Sequence, residues 1–134
     1  MEQMRTTSQR SDVGTSNVVV VRGVVRGAPR LREVPDRGSI AQFDVATTVV
    51  LDTRATQAYV PISWDSPTER ELASLTEGVE IVVIGIVRRR FFRVGGATQS
   101  RTEVVADTVV PARRRKQVAS ALDDTVSRLI SMAE

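Results

Sequence analysis

Val79–Val110 reads VEIVVIGIVRRRFFRVGGATQSRTEVVADTVV, and its reading decides how the rest of the chain is organised. Its opening run is rich in Val and Ile, the composition of a buried strand rather than a helix. Within a few residues it turns basic and aromatic, through Arg88, Arg89, Arg90, Phe91, Phe92 and Arg93. Gly95-Gly96 supplies a turn that tolerates positive φ, and a second Val-rich strand returns from about Arg101. The stretch therefore predicts a long hairpin with an apolar base and a cationic, aromatic tip. Strand parity puts Ile81, Val83 and Val87 on one face. Val82, Ile84, Ile86, Arg88, Arg90 and Phe92 take the other, provided no bulge intervenes at Gly85. Arginine rarely points into a core, so the Arg88–Phe92 side is expected outside.

Working outward, Asn17–Val25 (NVVVVRGVV) is apolar on both faces, with Gly23 marking a bulge or bend. Arg26–Gly38 reads as a loop containing Pro29 and Pro35. Ser39–Leu51 and Ala58–Trp64 read as the second and third strands, joined by a polar connection over Asp52–Gln57. Ser66-Pro67 followed by TERELASL predicts a helix with Ser66 as cap, Leu72 and Leu75 facing the core, and Gly78 as its end. Pro111 stops the sheet. Ala112–Glu134 is expected to be a second helix, with Val118, Leu122, Val126, Leu129 and Ala133 at helical spacing. An alternative register through Val118, Leu122 or Ala121, Thr125 or Val126, Leu129 and Met132 resembles a short coiled-coil seam. Met1–Ser16 is polar and aperiodic, and is expected to be a disordered tail. The order of three strands, a helix, two strands and an appended helix predicts an all-β chain, a five-stranded Greek-key barrel of the OB type over residues 17–111.

Composition narrows the chemistry. The 134 residues hold 18 Arg and a single Lys, and no Cys or His. Without Cys there is no disulfide framework or thiolate metal site, which fits a reducing cytoplasm. Without His, Ser-His triads and histidine metal sites are excluded. No constellation of catalytic residues stands out, so the expectation is a non-enzyme with neither metal nor cofactor. No run approaches the roughly 20 apolar residues of a membrane span. Basic charge is unevenly placed: Arg88–Lys116 carries nine cations against Glu103 and Asp107, whereas Asp65–Glu80 carries five acids and one Arg. Arg113-Arg114-Arg115-Lys116 sits where a helix dipole disfavours cations. Arginine neutralises phosphate and an aromatic face stacks on an unpaired base, so the hairpin points to single-stranded nucleic acid, DNA or RNA.

The pieces NVVVVRGVVRGAPRLR, GSIAQFDVAT, EGVEIVVIGIVRRRFF and SRTEVVADTV, with the Trp64–Gly78 segment, resemble the bacterial single-stranded DNA-binding protein family over roughly residues 17–110. Phe92 falls where that family usually has a stacking Trp, and Trp64 where it has an aromatic before the helix. The resemblance implies sequence-independent binding of single-stranded DNA in replication, repair or recombination, in the cytoplasm at the nucleoid, by a homotetramer. It also adds Trp64 to the candidate binding set, which is otherwise Arg22, Arg37, Arg88, Arg90, Phe91, Phe92, Arg93 and Arg101. The family's aromatics at the end of the second strand and the start of the third are here Val50 or Leu51, and Ala58. Its long acidic-tipped tail has no counterpart, so a specialised relative is expected. The competing expectation is a protein-interaction module on the same fold, with the last helix as its working surface. For self-association the expected surfaces are Val18 and Val20 on the first strand, and Val82, Ile84 and Ile86 on the fourth.

Overall fold

The computed structural model describes residues 15–133, with the backbone alone for Met132 and Ala133. The expected tail therefore lies, except for Thr15 and Ser16, outside the described residues. Five strands, β1 (Val19–Val34), β2 (Gly38–Leu51), β3 (Arg54–Asp65), β4 (Glu80–Val94) and β5 (Ala97–Pro111), close into a barrel in the order β1-β2-β3-β5-β4. A short helix, α1 (Glu69–Ala73), joins β3 to β4, and α2 (Arg115–Ala133) follows β5. This is the OB fold, as the element order predicts.

The core follows from alternation. Ala41, Phe43 and Val45 of β2, Ile62 and Trp64 of β3, Ile81 and Val83 of β4, and Val104 and Ala106 of β5 point inward, with Val25 from β1 and Leu75 from the segment after α1. Barrel closure depends on a parallel ladder of three pairs, Ile62–Val104, Ser63–Val105 and Trp64–Ala106. On β5 one residue, Asp107, is left out of register between the pairs Ile84–Thr108 and Gly85–Ala106. That is a β-bulge of the kind that bends a strand at a barrel corner. Asn17 supplements the ladder by bonding its side-chain amide to the Val87 carbonyl and its side-chain oxygen to the Val87 N–H, at 2.7 and 3.0 Å.

Several boundaries differ from the sequence reading. β1 runs through the expected loop to Val34, because a register shift between Arg26 and Arg30, with Gly27 at φ 76°, absorbs the irregularity. The chain turns only at Pro35–Arg37. The Asp52–Gln57 connection shrinks to a two-residue turn, with Asp52 and Thr53 both in the left-handed region. The cap of α1 is Thr68, not Ser66: Thr68 Oγ1 accepts from the Glu71 N–H at 3.1 Å, and Glu71 Oε1 accepts from the Thr68 N–H at 2.8 Å. Ser66 has φ 49° and cannot serve as that cap. The helix ends at its C-cap Ser74, before Gly78. Leu75 is buried and Leu72 packs on the core as expected.

The last helix settles one open alternative. Val118, Ala121, Leu122, Thr125 and Leu129 form its covered stripe, and this stripe lies over the outer face of β4 and β5. Thr125 and Leu129 face Ile84 and Val105 across a groove of about 430 Å³, and Gln117 and Ala121 approach Thr108 and Val110. Val82 and Ile84 are thus already buried within one chain, Ile84 at 3% exposure. The expectation that they form an interface between copies is corrected: both are buried within one chain, and the C-terminal helix lines the groove over Ile84. Ile86, one turn of the pleat further along, remains 43% exposed.

Candidate nucleic-acid interface

Past the barrel rim, among the described residues, β4 and β5 pair only with each other, from Arg88–Glu103 to Val94–Ala97. The result is a two-stranded arm with two solvent faces, closed by Gly95 and Gly96 at φ 57° and 83°. Register sorts its side chains. Arg88, Arg90 and Phe92 stand opposite Glu103, Arg101 and Gln99 on one face, and Arg89, Phe91 and Arg93 stand opposite Thr102, Ser100 and Thr98 on the other. Each face carries a guanidinium over a ring: Arg90 is 5.4 Å from the Phe92 centroid, and Arg89 is 5.1 Å from that of Phe91. Phe91 is the more open ring, at 63% exposure.

Glu103 organises the first face. It is 2% exposed, and three arginines converge on it. Arg88 donates from Nε and Nη2 to Oε2 at 3.1 and 2.9 Å. Arg90 Nε lies 3.4 Å from the same oxygen and Arg101 Nε 3.9 Å from Oε1. A buried carboxylate is costly unless paired; Arg88 is hydrogen-bonded to it and Arg90 and Arg101 lie within ion-pair distance, while the buried Arg101 Nε has no hydrogen-bond partner among the described residues. Three cations share one anion, so the cluster keeps net positive charge.

Between this cluster and the β1–β2 turn lies a cavity of about 200 Å³, lined by Arg32, Arg37, Arg88 and Arg90 together with Asp65 and Glu103. Arg37 reaches Asp65 at 3.7 Å. The structure therefore brings together Arg37, Arg88, Arg90 and Arg101, with Phe92 beside them, and sets Phe91 and Arg93 on the arm's far face. Arg93 is occupied locally, donating to the Gly96 carbonyl at 2.7 Å.

Two expected members fall elsewhere. Trp64 is 6% exposed and belongs to the barrel core, so its ring is not presented to a base; it points inward with Ile62 on the buried face of β3. Arg22 pairs with Glu80 at 3.1 Å, at the opposite end of the β1–β4 ladder from the arm. Hydrogen bonding to Glu80, and then its charge, raise the Arg22 guanidinium above its ordinary pKa. Val18, just before β1, and Val20 on it are exposed.

Sequence reasoning missed Arg26, Arg30 and Arg32, because it placed them in a loop. As strand residues they pair with Asp44, Gln42 and Ile40, on the outer face of β1 and β2. It also missed Tyr59, the single tyrosine, which parity places on the outer face of β3, opposite to Trp64. The Arg26 guanidinium lies 4.6 Å over the Tyr59 ring. Among the described residues no cluster of acidic groups could hold a metal, and no helix is long and apolar enough to cross a membrane.

No family model matches the sequence, and no curated protein does. Among solved structures the chain is similar to the SSB of Plasmodium falciparum, determined in complex with ssDNA. The TM-score is 0.64 and the identity 16%, over 73% of this chain and 96% of that one. At that identity the likeness speaks for the fold, and the fold is an OB barrel such as that SSB has.

Proposed function

We propose that this chain binds single-stranded DNA without sequence preference, as a non-enzymatic relative of the bacterial single-stranded DNA-binding proteins acting in replication, repair or recombination. The observation that carries this reading is the arm face on which Arg88, Arg90 and Arg101 gather around buried Glu103 beside Phe92. The similarity to an SSB solved with ssDNA supports it. Phosphates meet the arginines lining the cavity, and a base stacks on Phe92. RNA presents the same phosphates and rings, so discrimination by the 2′-OH is not required by this chemistry.

Labelled oligo-dT, titrated at two salt concentrations, tests the reading. If the four arginines of the cavity each neutralise a phosphate, log affinity should fall against log salt with a slope near about −3. Phe92→Ala should weaken binding by about 1–3 kcal/mol. An unchanged affinity in the folded variant removes Phe92 from the site, and absence of binding at low salt removes the proposal.

The chain is also proposed to self-associate. Val18, just before β1, and Val20 and Val24 on it form an exposed apolar row, and Val19–Arg22 is laddered to β4 with no strand partner on its other edge among the described residues. Two-fold pairing of that edge would satisfy both features. The expected tetramer needs a second surface; Val82 and Ile84 are buried within one chain and Ile86 stays exposed, so the proposal is confined to one two-fold contact through β1. A wild-type protein sedimenting as a monomer at micromolar concentration would refute it.

One observation favours the protein-interaction alternative. Val126 and Ile130 are exposed on α2, beside its covered stripe. On that reading oligo-dT binding is weak and α2 is the contact surface.

A further inference from the structure

Tyr59 is held in a way that a merely solvent-facing ring does not need. It is 47% exposed, yet its hydroxyl donates to Gln57 Oε1 at 2.9 Å and accepts from Arg26 Nη1 at 3.2 Å. The same guanidinium lies 4.6 Å over the ring. Two polar contacts and a cation thus fix the ring's orientation before any ligand arrives, the condition under which a flat platform binds at low entropic cost.

Its position matters as much. Tyr59 shares the outer face of β3 with Ser63 and Asp65, which line the cavity beside Arg88 and Arg90. Four residues of strand separate Tyr59 from Ser63, or about 13 Å. Along the neighbouring strand, the register sets Arg26, Arg30 and Arg32 on this same outer face, against Asp44, Gln42 and Ile40. No ion pair is formed by Arg30 or Arg32 among the described residues. A row of cations therefore runs from the Tyr59 ring to the cavity, and the arm with Phe92 begins on the cavity's other side. Aromatic, cations and aromatic in sequence along one face match the repeating chemistry of an extended single strand, in which phosphates alternate with bases.

We infer that Tyr59, with Arg26 stacked over it, is a second nucleobase-binding station, and that the strand crosses the outer face of β1, β2 and β3 between it and Phe92. The inference rests on the proposed single-stranded DNA binding and extends its footprint well beyond the arm. Arg30 and Arg32 carry the intervening phosphates. Short oligonucleotides occupy the arm and cavity alone, whereas longer ones reach Tyr59.

Because the chain has one tyrosine, 3-fluorotyrosine incorporation gives a single fluorine resonance at this site. That resonance is expected to shift when oligo-dT of about fifteen nucleotides saturates the protein, a length within the usual span of an OB fold. It should stay still with an oligonucleotide of about four. Tyr59→Ala should weaken binding of the longer oligonucleotide roughly 5- to 100-fold, the scale of one stacked base, and leave the shorter one unchanged. Tyr59→Phe, which keeps the ring, should bind nearly as the wild type does. Urea unfolding of the variants separates a lost contact from a lost fold. A silent resonance at saturation, with Phe92→Ala still impairing binding, overturns this inference and leaves the proposed function standing. A resonance that follows protein concentration rather than DNA also overturns it, since Tyr59 would then lie between copies of the chain. Failure of the wild type to bind either oligonucleotide at low salt overturns both.

Discussion

Gly85→Ala is expected to abolish the closed barrel, with a loss above about 4 kcal/mol, the range reserved for substitutions the structure cannot absorb. A β-carbon placed on Gly85 would sit 2.0 Å from the Val105 carbonyl oxygen, 2.9 Å from its carbon and 3.0 Å from the Ala106 α-carbon. All three are backbone atoms of β5, at the bulge around Asp107, so no side-chain rotation relieves the overlap. Domain stabilities of about 5–15 kcal/mol leave little margin for such a loss. Gly96→Ala is the control. Its added carbon meets nothing within 4 Å, and only the positive φ of 83° is unfavourable. A cost of about 1–2 kcal/mol follows. Chemical denaturation of both variants checks the pair; equal losses would mean that β4 and β5 are not as close at Gly85 as the structure has them.

Ile84→Asp should cost about 3–5 kcal/mol, because it removes a buried side chain and places a carboxylate under α2, where the cation of the groove, Arg128, already has an acidic partner. Nearby Arg128 is engaged with Asp107 at 3.8 Å. Ile86→Asp, two residues along the same face, should cost less than about 1 kcal/mol, since Ile86 is already 43% exposed. The comparison distinguishes cover by the chain's own helix from cover by a second copy. If both positions were buried between copies, both substitutions would destabilise and the loss would depend on protein concentration. Urea unfolding at two protein concentrations reads this directly.

Much of the fold was legible because the barrel obeys simple periodicities. Ser39–Leu51 was readable as a strand, and the Val79–Val87 run identified β4 before any pairing was known. What failed was local. Pro29 and Pro35 suggested a loop, but Pro29 falls within the register shift of β1, where a missing N–H costs no ladder bond, and only Pro35 is in a turn. That error hid Arg30 and Arg32 from the candidate interface. Trp64 was misplaced for a different reason. An aromatic on a strand that fits both a core and a stacking platform is decided by parity, and Trp64 shares parity with Ile62 and not with Ser63. The fate of α2 was not legible, since an apolar stripe at helical spacing states that the helix is covered and not what covers it.

The three-pair ladder between β3 and β5 has a consequence for the order in which the chain folds. The β2–β3 and β4–β5 hairpins each close on two-residue turns and can form within microseconds, independently of each other. Joining Ile62–Trp64 to Val104–Ala106 instead brings together residues about 42 positions apart in the chain, for three pairs of parallel contacts. The rate-limiting step should therefore be the docking of two preformed hairpins, with α1 and the buried Leu75 that follows it as the linker that must find its place at the same moment. The same seam has the fewest pairs of any in the barrel, so transient opening there would part β3 from β5 while β1 still joins the β2–β3 and β4–β5 hairpins.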